Sequence, residues 1–177
     1  MDKKKKIAYL GPPGTFTEEA LERFIKDSSD IEKIPCTTVE EVIKSVDRGD
    51  VDAGIVPLEN SIEGSVNITL DILTFESEAK IIGEVTIPIR HSLIGKNKIK
   101  PGDIKKLISH PHATAQCRKF ISTYLKDVEI IAANSTAEAV KILQEENSDI
   151  AAIGTKTAAK IYGLKIIESD IEDNKDN

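Results

Sequence analysis

Residues 57–65, Pro57-Leu58-Glu59-Asn60-Ser61-Ile62-Glu63-Gly64-Ser65, place two carboxylates, an amide and two hydroxyls directly after an apolar run. This mixture suits neither a core element nor a simple hairpin, and it reads as a ligand-binding loop. Glu59 has the chemistry of a general acid or base, although a carboxylate that anchors the loop would have the same composition. A second candidate is His110-Pro111-His112. Two histidines on a turn could begin a metal site, but with no carboxylate close by the set is short of the usual ligand number. A capping or buried histidine is the plainer reading, and no metal is expected. Gly11-Pro12-Pro13-Gly14-Thr15 lacks both the Lys-Ser/Thr ending of a phosphate loop and the spacing of a dinucleotide turn. No Gly-x-Ser-x-Gly elbow is present, which disfavours a hydrolase triad.

The elements that must position these residues repeat one pattern: a short apolar strand, a turn of small or polar residues, then a capped amphipathic helix. Residues 7–10 lead through the Gly/Pro turn into a helix opened by the capping box Thr15-Phe16-Thr17-Glu18, with Ala20, Leu21, Phe24 and Ile25 on one stripe. Thr38-Val39-Glu40-Glu41 and Ser135-Thr136-Ala137-Glu138 are two further boxes. Residues 51–56 read as a buried strand and residues 65–75 as a helix. Residues 81–93 have strand character, interrupted by Pro88 and His91, and are long enough to cross between two lobes. Strands at 107–108, 128–133, 149–153 and 164–167 alternate with helices after Pro111, Ser135 and Thr155. The alternation implies an α/β fold with mainly parallel sheets.

In such folds ligands bind outside the carboxyl ends of the strands, where helix N-termini offer unpaired amides. The turns at those places, residues 11–17, 59–65, 109–116, 134–136 and 154–155, are rich in hydroxyls and amides. The sequence has only four arginines, so a ligand carboxylate would be held mainly by backbone amides and Ser/Thr hydroxyls.

Composition limits the alternatives. A net charge of −6 and 4% aromatic residues argue against nucleic acid held by phosphate contacts or stacking. No apolar run approaches the roughly 20 residues of a membrane span, and Lys3 to Lys6 precede too short an apolar stretch for a secretory signal. Much of the negative charge lies in residues 168–177. Cys36 and Cys117 belong to no Cys-x-x-Cys pair and read as reduced, partly buried thiols. Together these features imply a soluble cytoplasmic protein.

Six segments in order carry a resemblance. They are Gly11-Pro12-x-Gly14-Thr15-Phe16-Thr17; Pro57-Leu58-Glu59-Asn60-Ser61-x-Glu63-Gly64-Ser65-Val66; His91-Ser92-Leu93-Ile94; Ser109-His110-Pro111-x-Ala113-x-Ala115-Gln116-Cys117; Asn134-Ser135-Thr136-Ala137-Glu138-Ala139; and Ala151-Ala152-Ile153-Gly154. From about Ile7 onward the chain resembles the catalytic region of prephenate dehydratase. The resemblance implies a two-lobed fold like that of type II periplasmic binding proteins, with an interlobe cleft. The expected first lobe is residues 1–84 plus 165–177, and the second is residues 85–164. It also implies conversion of prephenate to phenylpyruvate in phenylalanine synthesis, no cofactor, and a homo-oligomer such as a dimer or tetramer.

Carried over by motif, Asn60, Ser61, Gln116 and Glu59 are the expected catalytic residues, and Thr15, Phe16, Ser109 and Ala113 the expected substrate-binding residues. Two other readings are an arogenate dehydratase and a small-carboxylate binding module of the same fold. In the family a Thr-Arg-Phe motif, and usually an ACT regulatory domain, follow the position of Asn177. Both are missing from this sequence, so the resemblance implies little turnover by these 177 residues. Losing one transition-state donor typically costs on the order of 10²–10³ in rate.

Overall fold

The computed structural model describes residues 4–26 and 30–177; Lys3 of the basic N-terminal run lies outside them. The chain divides into two units, one of Met1–Pro12, Phe16–Ile87 and Asn177, the other of Pro13–Thr15 and Pro88–Asp176.

In the first unit, β1 (Lys5–Leu10) is the centre of a three-stranded parallel sheet, between β2 (Ile31–Cys36) and β3 (Ala53–Ile55). β2 contains Pro35, which an edge strand can hold because one side of its backbone has no ladder to supply. Helix α1 (Phe16–Ile25) follows β1, and α2 (Val39–Asp47) follows β2. Val39, Val42 and Ile43 of α2 are buried, Val42 with Ala8 and Cys36 of the sheet and with Val51 just before β3, and Val39 and Ile43 with Ile72. Ile72 belongs to α3 (Asn67–Phe75).

Between β3 and α3 the chain forms a small antiparallel hairpin, β4 (Glu59–Asn60) with β5 (Gly64–Ser65). The polar loop expected at residues 57–65 is thus a hairpin after all. Its strands are two residues long, too short to show the apolar alternation by which hairpins are usually recognised.

The second unit is a five-stranded sheet. Its strands are β6 (Ser92–Gly95), β7 (Lys106–Ser109), β8 (Glu129–Ala132), β9 (Ile150–Gly154) and β10 (Lys165–Ser169), in the order β10-β6-β9-β7-β8. β7 is parallel to β8 and β9, whereas β6 runs antiparallel to β9 and β10. The intervening helices are α4 (Pro111–Gln116), α5 (Arg118–Tyr124), α6 (Thr136–Leu143) and α7 (Lys156–Ile161).

Period-two alternation assigns the two faces of this sheet. Leu93, Leu107, Ala151 and Ile153 pack with Ala113 of α4 and with Cys117. Ile94, Ile108, Ile150 and Ala152 pack with Val140 and Leu143 of α6 and Ala158 and Ala159 of α7. A sheet covered on both faces needs apolar residues at consecutive positions, as β9 shows: all five of its residues are buried.

The α/β class and the mainly parallel strand arrangement agree with the alternation read from the sequence. Two features differ. Residues 77–91 contain no strand despite their Ile and Val content, and strand structure resumes only at Ser92. The lobe bounds also shift. Residues 13–15 and 165–176, expected in the first lobe, belong to the second unit, the latter because β10 pairs with β6. Residues 85–87, expected in the second lobe, belong to the first unit.

Candidate active site

The expected site residues lie at the end of β7 or in the segments that follow parallel strands β1, β3 and β7. In the first unit, Glu59 and Asn60 form β4 and Ser61 begins the turn that follows. The turn is ordered by Asn60, whose Oδ1 accepts from the amides of Ile62 (2.9 Å) and Glu63 (3.2 Å), an Asx arrangement. With the oxygen so used, the Asn60 side-chain NH2 is the end with hydrogens to offer a ligand. Ser61 Oγ donates to Asn177 Oδ1 at 2.6 Å. The hairpin base is fixed by Thr69 of α3, whose hydroxyl donates to the Pro57 carbonyl at 2.7 Å. Phe16, the first residue of α1, also belongs to this unit.

In the second unit, Thr15 is buried in the turn that precedes α1, and Ser109, Ala113 and Gln116 share the β7–α4 segment. Ser109 ends β7 with only 1% of its surface exposed, and its hydroxyl donates to the His110 carbonyl at 3.1 Å. Ala113 is buried beneath α4. His110 caps that helix: its Nδ1 accepts from the His112 amide at 3.3 Å, the capping role open to it from sequence. Gln116 closes α4, with its Oε1 2.8 Å from His91 Nε2.

Sequence reasoning passed over the residues behind Gln116. His91, read as a break in a strand and as part of a resemblance segment but given no role at the site, is 2% exposed. Its amide donates to Glu172 Oε2 at 2.9 Å, and its carbonyl accepts from the Ile171 amide at 3.0 Å. The Glu172 carboxylate, 3% exposed, also accepts from Arg90 Nη1 at 3.0 Å. The next residue, Asp173, donates its amide to the Gln116 carbonyl at 2.7 Å and accepts the Lys119 amide on both carboxylate oxygens. In the sequence these two acids stood out only as part of a run of negative charge. The available signal was the single apolar residue, Ile171, that anchors the run.

Burial pushes the His91 imidazole below its ordinary value, against the Gln116 hydrogen bond and the Glu172 charge, which favour protonation. Burial likewise pushes the Cys117 thiol well up, reinforced by the charges of Glu172 and Asp173, so Cys117 is a protonated core residue rather than a nucleophile. Because the His91 value is lowered from 6.5 in the folded state, its contribution to stability is fully present above 6.5 and is lost as pH falls toward the folded-state value. Urea unfolding at about pH 7.5 and about pH 5 is therefore expected to show wild type losing more stability on acidification than His91→Gln.

Fold and loops define the class, an α/β protein of the kind that takes small ligands at the carboxyl ends of parallel strands. The sequence model of the prephenate dehydratase family matches residues 7–177, and the chain belongs to that family. A prephenate dehydratase of Methanocaldococcus jannaschii is 43% identical over 175 residues, covering 98% of this chain and 62% of that protein. One from Bacillus subtilis is 39% identical over 175 residues, covering 97% and 61%. The crystal structure of the Arthrobacter aurescens prephenate dehydratase in complex with L-Phe matches with a TM-score of 0.88 and 37% identity, over 97% of this chain and 57% of that one. The chain thus spans about three fifths of the length of these relatives. Among the described residues no helix is long and apolar enough to cross a membrane.

Proposed function

We propose that this chain carries the chemistry of its family, the decarboxylating dehydration of prephenate to phenylpyruvate in phenylalanine synthesis. The observation that carries the reading is the family match over residues 7–177. In the reaction the bond between the ring and its carboxylate breaks and releases carbon dioxide. The freed electron pair completes the aromatic ring, the ring C–O bond breaks, and one proton converts the departing hydroxyl to water. Aromatisation drives the process, so the protein's task is to hold two carboxylates and to stabilise the leaving oxygen.

In this reading the NH2 groups of Asn60 and Gln116 and the hydroxyl of Ser61 are the donors to substrate. Glu59 supplies a carboxyl group, and Ser109 with its neighbouring amides receives a carboxylate. Thr15, Phe16 and Ala113 shape the site. The proposed compartment is the cytoplasm, consistent with two buried, unpaired cysteines. The proposed assembly is a homo-oligomer.

The test is prephenate affinity by calorimetry together with phenylpyruvate formation by absorbance. Wild type is expected to bind prephenate, and Gln116→Ala to weaken binding or turnover on the order of 10²-fold, as for loss of one preorganised donor. A folded chain that neither binds nor converts prephenate would refute the reading. Phenylalanine released from arogenate, with no action on prephenate, would move the substrate to the amine.

A further inference from the structure

The strongest unused feature is the buried group behind Gln116. We infer that His91 is a positioning residue that fixes the side-chain amide of Gln116 with its NH2 presented to substrate, while Glu172 and Asp173 hold the pair in register. The inference rests on the proposed contact between Gln116 and prephenate.

An amide oxygen only accepts hydrogen bonds. The 2.8 Å approach of His91 Nε2 to Gln116 Oε1 therefore assigns the ring proton to Nε2. With the proton on Nε2, rotating the amide by half a turn would set its NH2 against Nε2–H, donor against donor. An Nδ1–H ring would accept that NH2 instead, so the tautomer decides the amide orientation. The contact thus selects one amide orientation and leaves both NH2 hydrogens for a ligand. A ligand with carboxylates and a hydroxyl oxygen offers only acceptors there, apart from that hydroxyl's own proton.

Both partners are held from behind. The His91 main chain is fixed at its amide by Glu172 and at its carbonyl by Ile171. The Gln116 carbonyl is fixed by the Asp173 amide, and the Asp173 carboxylate caps the next helix at Lys119. Three consecutive residues, Ile171, Glu172 and Asp173, therefore fix the main-chain positions from which the ring and the amide approach each other. Neither main chain can shift without breaking a hydrogen bond to this segment.

The test has two parts. Imidazole nitrogen chemical shifts of the wild-type chain, with His91 assigned by its loss in His91→Gln, are expected to show the Nε2–H tautomer; an Nδ1–H tautomer would overturn the inference. Calorimetry with prephenate then compares wild type, His91→Leu, His91→Gln, Gln116→Ala and the double variant of His91→Leu with Gln116→Ala. Loss of positioning is expected to weaken affinity about 10-fold to 100-fold in His91→Leu. His91→Gln, whose amide can also donate, should recover most of that loss. In the Gln116→Ala background the His91→Leu change should add nothing, since it acts through the amide.

Additive losses, or His91→Gln as weak as His91→Leu, would overturn the positioning role even where Gln116 proves to be a substrate contact. Unchanged affinity in Gln116→Ala would instead remove the contact on which the inference rests, whatever the tautomer. Should His91→Leu not fold, the tautomer and the His91→Gln affinity still decide.

Discussion

Gly14→Ala is expected to destabilise the chain by about 3 kcal/mol or more, the sum of backbone strain and overpacking. Gly14 has φ +93°, a region that costs a residue with a side chain. An added Cβ would stand 2.7 Å from Ala158 Cβ and 2.8 Å from Ala158 Cα. Ala158 cannot recede, because it and Ala159 are buried in the core beneath α7. Nor can the turn swing away. Thr155 Oγ1 donates to the Gly14 carbonyl at 2.7 Å while accepting the Ala158 amide at 2.8 Å, so one hydroxyl holds both the turn and the helix start. Gly49→Ala is the control. Gly49 also has a positive φ, 71°, but nothing lies within 4 Å of an added Cβ, so only the strain of about 1 kcal/mol remains. Urea unfolding of both variants measures the difference; equal losses would show that the turn does not pack against α7 as described.

Glu172→Ala should lower stability by about 2–4 kcal/mol, because it strips a buried amide and a guanidinium of their shared partner. The His91 amide would be left unpaired inside the unit, which is the costlier part. Arg90 is about one third exposed and keeps the Lys175 carbonyl at 2.8 Å, so its share is reduced by solvent. Glu172→Gln keeps an acceptor for the His91 amide and loses only the ionic component, and is expected to cost about 1 kcal/mol. Chemical unfolding near neutral pH distinguishes the two. Equal losses would mean that the charge, rather than the hydrogen bond to His91, is what the buried carboxylate supplies. Removing the Glu172 charge should also lower the His91 pKa further, since that charge favours the protonated ring.

Capping was legible almost to the atom. Thr38 and Ser135 accept the Glu41 and Glu138 amides as the boxes imply. The paired carboxylates, however, reach one residue further back than the usual box, to the amides of Thr37 (2.7 Å) and Asn134 (2.6 Å). The Thr37 amide and hydroxyl hold the Glu41 carboxyl below its ordinary range. Strand content was less legible where it depends on a partner. Residues 81–93 have the composition of a strand, yet Ile81 and Ile82 are 72% and 79% exposed and join no ladder. β-branched residues favour an extended backbone, but a strand also needs a neighbouring edge.

The candidate site residues were named from motif and local turn chemistry, Asn60, Ser61 and Ser109 at or just past strand ends and Gln116 at the end of α4. The support behind Gln116 was not. His91 and Glu172 are far apart in the chain, and no local spacing announces their pairing. The antiparallel seat of β10 was hidden for the same reason, since residues 164–167 read as a strand without saying which sheet edge receives it.

The position of β6 also bears on how the protein is made. β6 lies between β9 and β10, pairing Gly95 with Ala151 on one side and with Lys165 on the other. A ribosome delivers Ser92–Gly95, buried throughout in the finished sheet, long before either neighbour exists. β7 and β8 can pair earlier, while β6 must wait with its apolar faces uncovered. Such late, non-local pairing slows folding and leaves a window for aggregation. Over that interval the uncovered apolar faces of β6 are exposed to aggregation until the β9–β10 segment is synthesised and pairs with it.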